Sequence, residues 1–436
     1  MAGQKYKKIA IVGGGASGAL TALHLASKFG ERVEISIFEK TDAPLGAGRA
    51  YANPNPEYLL NVPVEKMGYQ VTDPGDFSKW VNVHHPEAAQ DPHFPFVARA
   101  WYLEYLNGKI SRLSGLKRIT GEVRLASYEK KKWKLKTERG FQDFYDAVFV
   151  ATGYEERLDP EVFKLGDKKV RSLIFQPYEK PAEKLRPKDD VIVVGAGLTA
   201  FDVWRNFRQA GRLGKVTLIS RHGLIPTAHL KSAPVNPPLK AVPNLSGMTS
   251  LQILRVLRAI HRSSVLSLPE TADQVRTQTS RIWGGWDENE KSRFLKHLAR
   301  YWEIIRHRLP GTILEDWNAE VSSQSAALMK GKILQIKSSP HGVAVKVKNY
   351  DETLNLKASA VILASGFRTD QESLRFKIPQ GLVQKCPFGF GFRKIRAPGL
   401  WFVGPASKTE FWEVTAVPDI RVQLARFMKE LELVLG

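Results

Sequence analysis

Two glycine clusters carry the first chemistry that can be read from this chain. Gly13, Gly15 and Gly18 form a G-x-G-x-x-G run directly behind the apolar stretch KIAIVG, and an acid, Glu39, stands 21 residues after Gly18. Each residue type has a task in holding a dinucleotide. Gly13 makes a tight turn, Gly15 leaves room for a pyrophosphate against the backbone, and Gly18 lets the following helix pack on the strand. The helix start, with Ala16 and Ser17, offers unpaired N–H groups and a positive dipole end to phosphate. Glu39, with Lys40 beside it, can accept hydrogen bonds from ribose hydroxyls. A second run, Gly195-x-Gly197-x-x-Ala200 with Leu198 and Thr199 inside it, follows VIVV. At the place of the acid it carries Ser220 and Arg221. An Arg there can pair with a 2′-phosphate, which favours NADPH over NADH. An Arg solvated at a strand end is the plainer alternative.

The elements that must position these residues are legible around them. KIAIVG and VEISIFE have the short, apolar, β-rich character of buried parallel strands, and the intervening stretch with Leu20, Leu23 and Leu25 has the character of an amphipathic helix. DVIVVG, the helical stretch behind it and KVTLIS repeat the arrangement. Further on, EVRLASY, KKWKLKT and DAVFVATGY in one half match KILQIKS, GVAVKVK and SAVILASGF in the other. Period-2 alternation predicts a β-meander in each half, closed by a strand that ends in Ala-Thr/Ser-Gly-aromatic. The fold class that follows is α/β, with two Rossmann-like dinucleotide-binding domains. Each has a β-meander, and the second has a helical insertion. The expected boundaries are 1–180 for the first unit, 187–366 for the second with its insertion at about 245–312, and 367–436 for a return to the first. Within the insertion, SLQILRVLRAIHR and NEKSRFLKHLARYWEIIRHRL have helical spacing. They can form a cap on the second unit or a wall over a substrate. TSRIWGGWDE between them is expected as an ordered loop, and the Pro-rich stretch 232–243 as an extended connector.

Bulk composition narrows the classes. The 436 residues are 43% hydrophobic and 25% charged, which is ordinary globular composition. Cys386 is the one cysteine, so a disulfide framework, a CxxC pair and a cysteine metal cluster are excluded. Of the ten His, only His84 and His85 adjoin, and no metal site is expected. The net charge of +21 is compatible with anionic small ligands, an anionic surface or RNA, but the basic residues are spread along the chain rather than massed, so nucleic acid is the least favoured partner. No apolar run approaches the ~18 residues of a membrane span. The N-terminal lysines and apolar stretch imitate a signal peptide, but the glycines inside that stretch belong to the first fingerprint, so a cytoplasmic location is the expectation.

Two fingerprints, the acid of the first and the strands ending in Ala151-Thr152-Gly153 and Ala364-Ser365-Gly366 resemble the flavoproteins with two dinucleotide-binding domains. That likeness covers nearly the whole chain. It implies FAD in the N-terminal unit and NADPH (or NADH) in the other; the absence of paired cysteines separates this chain from the disulfide reductases of the group. A narrower resemblance, to the YdhS-like FAD/NAD(P)-binding proteins, is carried by IVGGGASG, LGAGRAYANPNPEYLLNVP, FVARAWYLEYL, VVGAGLTAFDV, SRHGLIP and FWEVTAVPDIRVQ. Some relatives look like flavin-dependent hydroxylases. DAVFVATGY, with Asp146 and Tyr154, approaches a motif of N-hydroxylating monooxygenases, although here it closes the first half. The linker motif of flavin monooxygenases is missing before the second fingerprint.

The resemblance also implies roles near the C-terminus. GLWFVGP is similar to the strand that presents a glycine, here Gly404, to the ribityl chain, with Pro405 where an Asp is usual. Pro418 and Asp419 suit a first helical turn, and the helix start, with Thr415 and Ala416, would face the flavin pyrimidine. Trp412 and Glu413 would border the active-site mouth; core packing and a structural salt bridge are their alternatives. Gly46 allows close backbone approach to the cofactor, and Asn61 with Val62 would pass the flavin ring, Asn61 as the polar group at its reacting edge. An Asn capping a turn is the alternative there. The reaction these implications favour is NAD(P)H-dependent monooxygenation of a small polar substrate, with O2 as co-substrate. A reductase or dehydrogenase without oxygen insertion is the second expectation, and an RNA-associated flavoprotein the third.

Overall fold

The computed structural model describes residues 7–153, 161–164, 168–179, 185–212, 214–229, 242–263, 266–350, 352–367, 377–378, 381–385, 392–394 and 398–435. The first half lays down β1 (Lys7–Val12), β2 (Val33–Glu39), β3 (Leu116–Thr120), β4 (Val123–Glu129), β5 (Lys132–Thr137), β6 (Gln142–Tyr145) and β7 (Ala147–Val150). β8 (Ile174–Phe175) comes next, and the second half follows with β9 (Val191–Val194), β10 (Val216–Ser220), β11 (Ala326–Lys330), β12 (Lys332–Ser339), β13 (Gly342–Asn349), β14 (Glu352–Ala358) and β15 (Ala360–Leu363). A hairpin of β16 (Val383–Lys385) and β17 (Phe392–Lys394) precedes β18 (Leu400–Phe402).

Two five-stranded sheets result, in the orders β18-β7-β1-β2-β3 and β8-β15-β9-β10-β11. All their pairings are parallel. The two orders superimpose term by term, so the duplication read from the fingerprints extends to sheet topology. The last strand of each sheet comes from outside its own unit. β8 leaves the first half to pair with β15, and β18 returns from the second half to pair with β7. The boundary expected at residue 180 therefore falls behind a strand of the second sheet; two residues, Ile174 and Phe175, are too few to show a period. The meanders are β4-β5-β6 and β12-β13-β14. Their third strands are β6 and β14, not the stretches DAVFVATGY and SAVILASGF expected from the sequence, whose stronger apolar runs suit a fully buried sheet. Those runs, β7 and β15, lie in the parallel sheets and are buried throughout.

Strand alternation sorts the core. Ile9 and Ile11 of β1 pack under the helices Ala16–Phe29, Arg99–Ile110 and Val417–Leu435, while Ala10 and Val12 pack on Trp133 and Leu135 of the first meander. In the second unit Val191 and Val193 face the helices Leu198–Gln209 and Gly311–Ser322, and Ile192 faces the second meander. In the C-terminal helix, Ile420, Leu424, Phe427 and Leu431 form the expected stripe and are buried, each worth about 1.5–3 kcal/mol of apolar burial. The insertion comprises helices Ser250–Arg262, Leu268–Arg276, Thr279–Gly285, Glu288–His297 and Ala299–Arg306 around Leu245, Ile253, Leu266 and Val275. Thr249 and Ser267 each start a helix with a capping box. The stretch expected as a loop is thus largely helical. Ile282 and Trp283 are buried there, and that packing outweighs the cost of Gly284 and Gly285. The long stretch behind it breaks in two at Leu298. Residues 232–241 of the Pro-rich connector lie outside the described residues. Among the described residues no helix is long and apolar enough to cross a membrane.

Candidate functional site

β1 runs into Gly13 at φ +106°, and a Cβ there would sit 2.5 Å from the carbonyl oxygen of Ala151. The second unit copies this contact, with Gly195 at φ +119° and its missing Cβ directed into the carbonyl oxygen of Ala364. The Ala-Thr-Gly and Ala-Ser-Gly strand ends and the first glycines of the two fingerprints are thus one packing unit, made twice. A Cβ on Gly18 would overlap the carbonyl oxygen of Gly13, so this residue lets helix and strand approach. Ala200, its counterpart, is fully buried. Gly15 and Gly197 are the N-caps of their helices without a side-chain cap, so the first N–H groups are left to a ligand.

The first of these turns and the helix start behind the second meet at a cavity of about 580 Å³. From the first unit it is lined by Gly13, Gly15, Ala16 and Ser17, by Glu39 and Lys40, by Asn61 and Val62, and by Ala151, Thr152 and Gly153. Leu198 and Thr199 of the second fingerprint line the same cavity, as do Thr415 and Ala416 before the C-terminal helix. Glu39 Oε2 accepts a 2.8 Å hydrogen bond from the Gly14 N–H, which fixes the carboxylate at the end of β2. Thr152 Oγ1 is buried without a hydrogen-bond partner. An orphaned hydroxyl beside a glycine cradle fits a polar ligand such as a dinucleotide.

Other expected residues lie elsewhere. Gly46 donates its N–H to the Gly14 carbonyl at 2.8 Å and backs onto Leu106. Gly404 is buried, with its N–H given to Gln423 Oε1 at 2.9 Å, and Pro405 lines the cavity in its stead. Gly195, Gly197, Ala200, Ser220 and Arg221 are off this cavity. Arg221 is exposed at the end of β10, next to His222, whose ring lies 3.0 Å from Arg300 Nη1 of the insertion. Burial and the charges of Arg300, Arg221 and Lys330 push the His222 imidazole toward its neutral form. Asp146 receives the Lys8 N–H at 2.9 Å and an ion pair from Lys132 at 3.1 Å, a role at the far end of the strand from the cavity; Tyr154 lies outside the described residues.

Trp412 and Glu413 do not border the cavity. Trp412 stacks on Trp283 with ring centroids 4.8 Å apart and is buried. Glu413 accepts a 2.5 Å bond from Trp302 Nε1 and pairs with Arg306 at 3.2 Å. Asp419, in the first turn of the C-terminal helix, pairs with Arg276 at 2.6 Å and with Arg306 at 2.8 Å. The chemistry in FWEVTAVPDIRVQ is therefore a clamp: two carboxylates hold two arginines of the insertion against the helix start. The clamp sets Arg306 and His307 in the cavity wall, so the insertion is a wall as well as a cap.

Sequence reasoning also missed Arg99, Asp202 and Tyr51, which line the cavity. Arg99 Nη1 lies 2.9 Å from Asp202 Oδ2 and ties the first unit to the helix of the second fingerprint. Burial pushes the Asp202 carboxyl up, against the opposing charge of Arg99. Arg205 and Glu57, 2.8 Å apart, make a second such tie. Burial pushes the Tyr51 hydroxyl up to about 12, so it remains a neutral phenol. Asn61 offers its backbone carbonyl to His229 Nε2 at 2.9 Å. Nothing in their spacing marks these residues; the partners in Arg99–Asp202 and Arg205–Glu57 lie more than a hundred positions apart.

Residues 10–155 match the protein-family model described as FAD-NAD(P)-binding. No curated protein matches the sequence. The fold is similar to that of the reduced form of ornithine hydroxylase from Pseudomonas aeruginosa, at a TM-score of 0.67 and 13% identity, covering 99% of this chain and 100% of that one. It is similar to ornithine N-hydroxylase from Kutzneria sp. 744 with reduced FAD, NADP+ and L-ornithine, at a TM-score of 0.67 and 12% identity over 99% and 100% of the two chains. The bacillithiol disulfide reductase from Staphylococcus aureus follows at a TM-score of 0.59 and 13% identity, with 98% of each chain covered. At such identities the likeness is one of fold.

Proposed function

We propose that this chain is an FAD- and NADPH-dependent oxidoreductase, a monooxygenase of a small polar substrate related to the YdhS-like flavoproteins. One observation carries this: a single cavity is lined both by the first fingerprint, with Glu39 and the orphaned Thr152 hydroxyl, and by Leu198 and Thr199 of the second. Two dinucleotides held there would share one space, which hydride transfer requires. The N–H groups behind Gly15 would hold the FAD diphosphate, Glu39 its ribose and Thr152 a further polar atom. Leu198 and Thr199, behind Gly197, would hold the NADPH diphosphate, and Arg221 its 2′-phosphate. Asn61 and the backbone around it would supply fixed polar groups at the reacting edge. A bound flavin would supply two-electron chemistry between nicotinamide and oxygen. In this assignment 1–180 and 367–436 serve FAD and 187–366 serves NADPH, apart from the strand β8, and the protein works in the cytoplasm.

The purified protein is expected to be yellow and to release FAD on denaturation. Gly15→Val places a side chain in the diphosphate path and is expected to fold yet lose most of its FAD, read from released-flavin absorbance. A folded variant with full FAD would refute the placement. A reductase without oxygen insertion is the second assignment, supported by the fold likeness to the bacillithiol disulfide reductase. Product analysis with oxygen-18 separates the two: a labelled hydroxylated product supports the first, and its absence with continued NADPH consumption supports the second.

A further inference from the structure

The insertion delivers to the cavity one titratable side chain that the assignment above leaves unused. His307 is the C-cap of the helix Ala299–Arg306 and lines the cavity. Its Nε2 lies 2.9 Å from Glu303 Oε2, one turn earlier. Glu303 is also 3.3 Å from Lys408 Nζ. Burial opposes a charge on Glu303, but Lys408 and His307 together hold its carboxyl below the ordinary carboxylate range. A standing carboxylate at Nε2 fixes the tautomer with hydrogen on that nitrogen and sets the ring plane. Nδ1 is then the working atom, and it makes no hydrogen bond among the described residues.

The surrounding charges leave this dyad to itself. Arg306 is taken by Glu413 and Asp419, and Arg308 by Asp273 at 2.7 Å. Each neighbouring arginine thus has carboxylate partners other than Glu303, and among the described residues Glu303 pairs with His307 and Lys408.

We propose that His307, positioned by Glu303, is the catalytic residue that delivers the proton consumed in this cavity. The proposal rests on the assignment of the cavity to FAD and NADPH. Monooxygenation converts NADPH, H+, O2 and R–H to NADP+, R–OH and water. Without substrate, NADPH, H+ and O2 give NADP+ and hydrogen peroxide. A reductase converts NADPH, H+ and an acceptor A to NADP+ and AH2. In each case the nicotinamide supplies the electron pair, and one proton must be added. Protonated His307 gives it from Nδ1 and takes another from water, while Glu303 stabilises the charged ring.

The test uses the holoprotein with NADPH and air, and follows hydrogen peroxide formation against pH. General acid catalysis predicts a wild-type rate that falls toward alkaline pH. His307→Asn should slow it by about a hundredfold, at the lower end of general acid catalysis, and remove that limb of the profile. His307→Gly, at a C-cap that accepts glycine, should regain part of the rate with added imidazole. Glu303→Gln keeps the ring, and its nitrogen-15 spectrum should lose the Nε2–H tautomer signature seen in the wild type. Released FAD should stay intact in every variant, which keeps the role of His307 separate from cofactor binding. An unchanged pH profile in His307→Asn, or no response of His307→Gly to imidazole, would overturn the role of His307 and leave the cofactor assignment standing. A wild-type protein without FAD, or one that NADPH cannot reduce, would remove both.

Discussion

Arg221 shows what a single position can decide. It stands exposed where the first fingerprint has Glu39, with His222 and Arg300 beside it. A charge-assisted contact to a 2′-phosphate contributes roughly 1.5–3 kcal/mol, so NADPH should be preferred over NADH by about tenfold to hundredfold. Arg221→Ala should abolish most of that preference and barely alter NADH use; steady-state kinetics with both donors decides, and equal use by the wild type would leave Arg221 a solvated strand end. His229 gives a pH dependence. Burial, against its bond to the Asn61 carbonyl, lowers its imidazole to about 4. The unfolded chain therefore binds this proton first, and the contribution to stability present above the ordinary His value of about 6.5 is lost as pH falls toward 4. His229→Asn should flatten that part of the melting-temperature profile; an identical slope would show that His229 titrates normally. At this scale the sequence revealed residues whose partners are local or imposed by a motif. Gly13 and Glu39 were legible; Arg99 and Asp202, 103 positions apart, were not. Trp412 and Glu413 were noticed for their chemistry but misplaced, because sequence cannot say which face of a turn meets the insertion.

The element that decides most is the C-terminal helix. Its apolar stripe was legible because Ile420, Leu424, Phe427 and Leu431 keep helical spacing. Its docking was not, since Arg276 and Arg306 come from helices more than a hundred residues earlier. Removing one partner of a buried charge cluster leaves the others unpaired, at a cost of about 3–5 kcal/mol. Asp419→Asn should therefore lower the denaturation midpoint sharply, whereas the outward Val422→Ala, on the same helix and exposed, should stay within about 0.5 kcal/mol. Equal losses would mean that the clamp carries no stability. The helices of the insertion follow the same division. Ser250–Arg262 was readable from its amphipathic period, but Thr279–Gly285 is helical because Trp283 finds Trp412, a tertiary event that its glycines conceal.

In the molecule as a whole, a duplicated sheet brings the first phosphate turn and the helix start behind the second to one cavity, and the exchange of β8 and β18 ties the units together. The duplication could be read from two fingerprints and two Ala-Thr/Ser-Gly strand ends, because each first glycine packs on the alanine that ends the neighbouring strand of its own sheet. The shared cavity could not, since it depends on pairs such as Arg99–Asp202 and Arg205–Glu57 that join the units. Whether that cavity holds both dinucleotides is decided by an anaerobic titration. The holoprotein is titrated with NADPH under anaerobic conditions and then opened to air, with the visible spectrum followed throughout. Two dinucleotides in one cavity predict rapid bleaching of the flavin band by a stoichiometric amount of NADPH, slower bleaching by NADH, and recovery of the band in air. A flavin that stays oxidised under excess NADPH, or a folded protein with no flavin band at all, would contradict it.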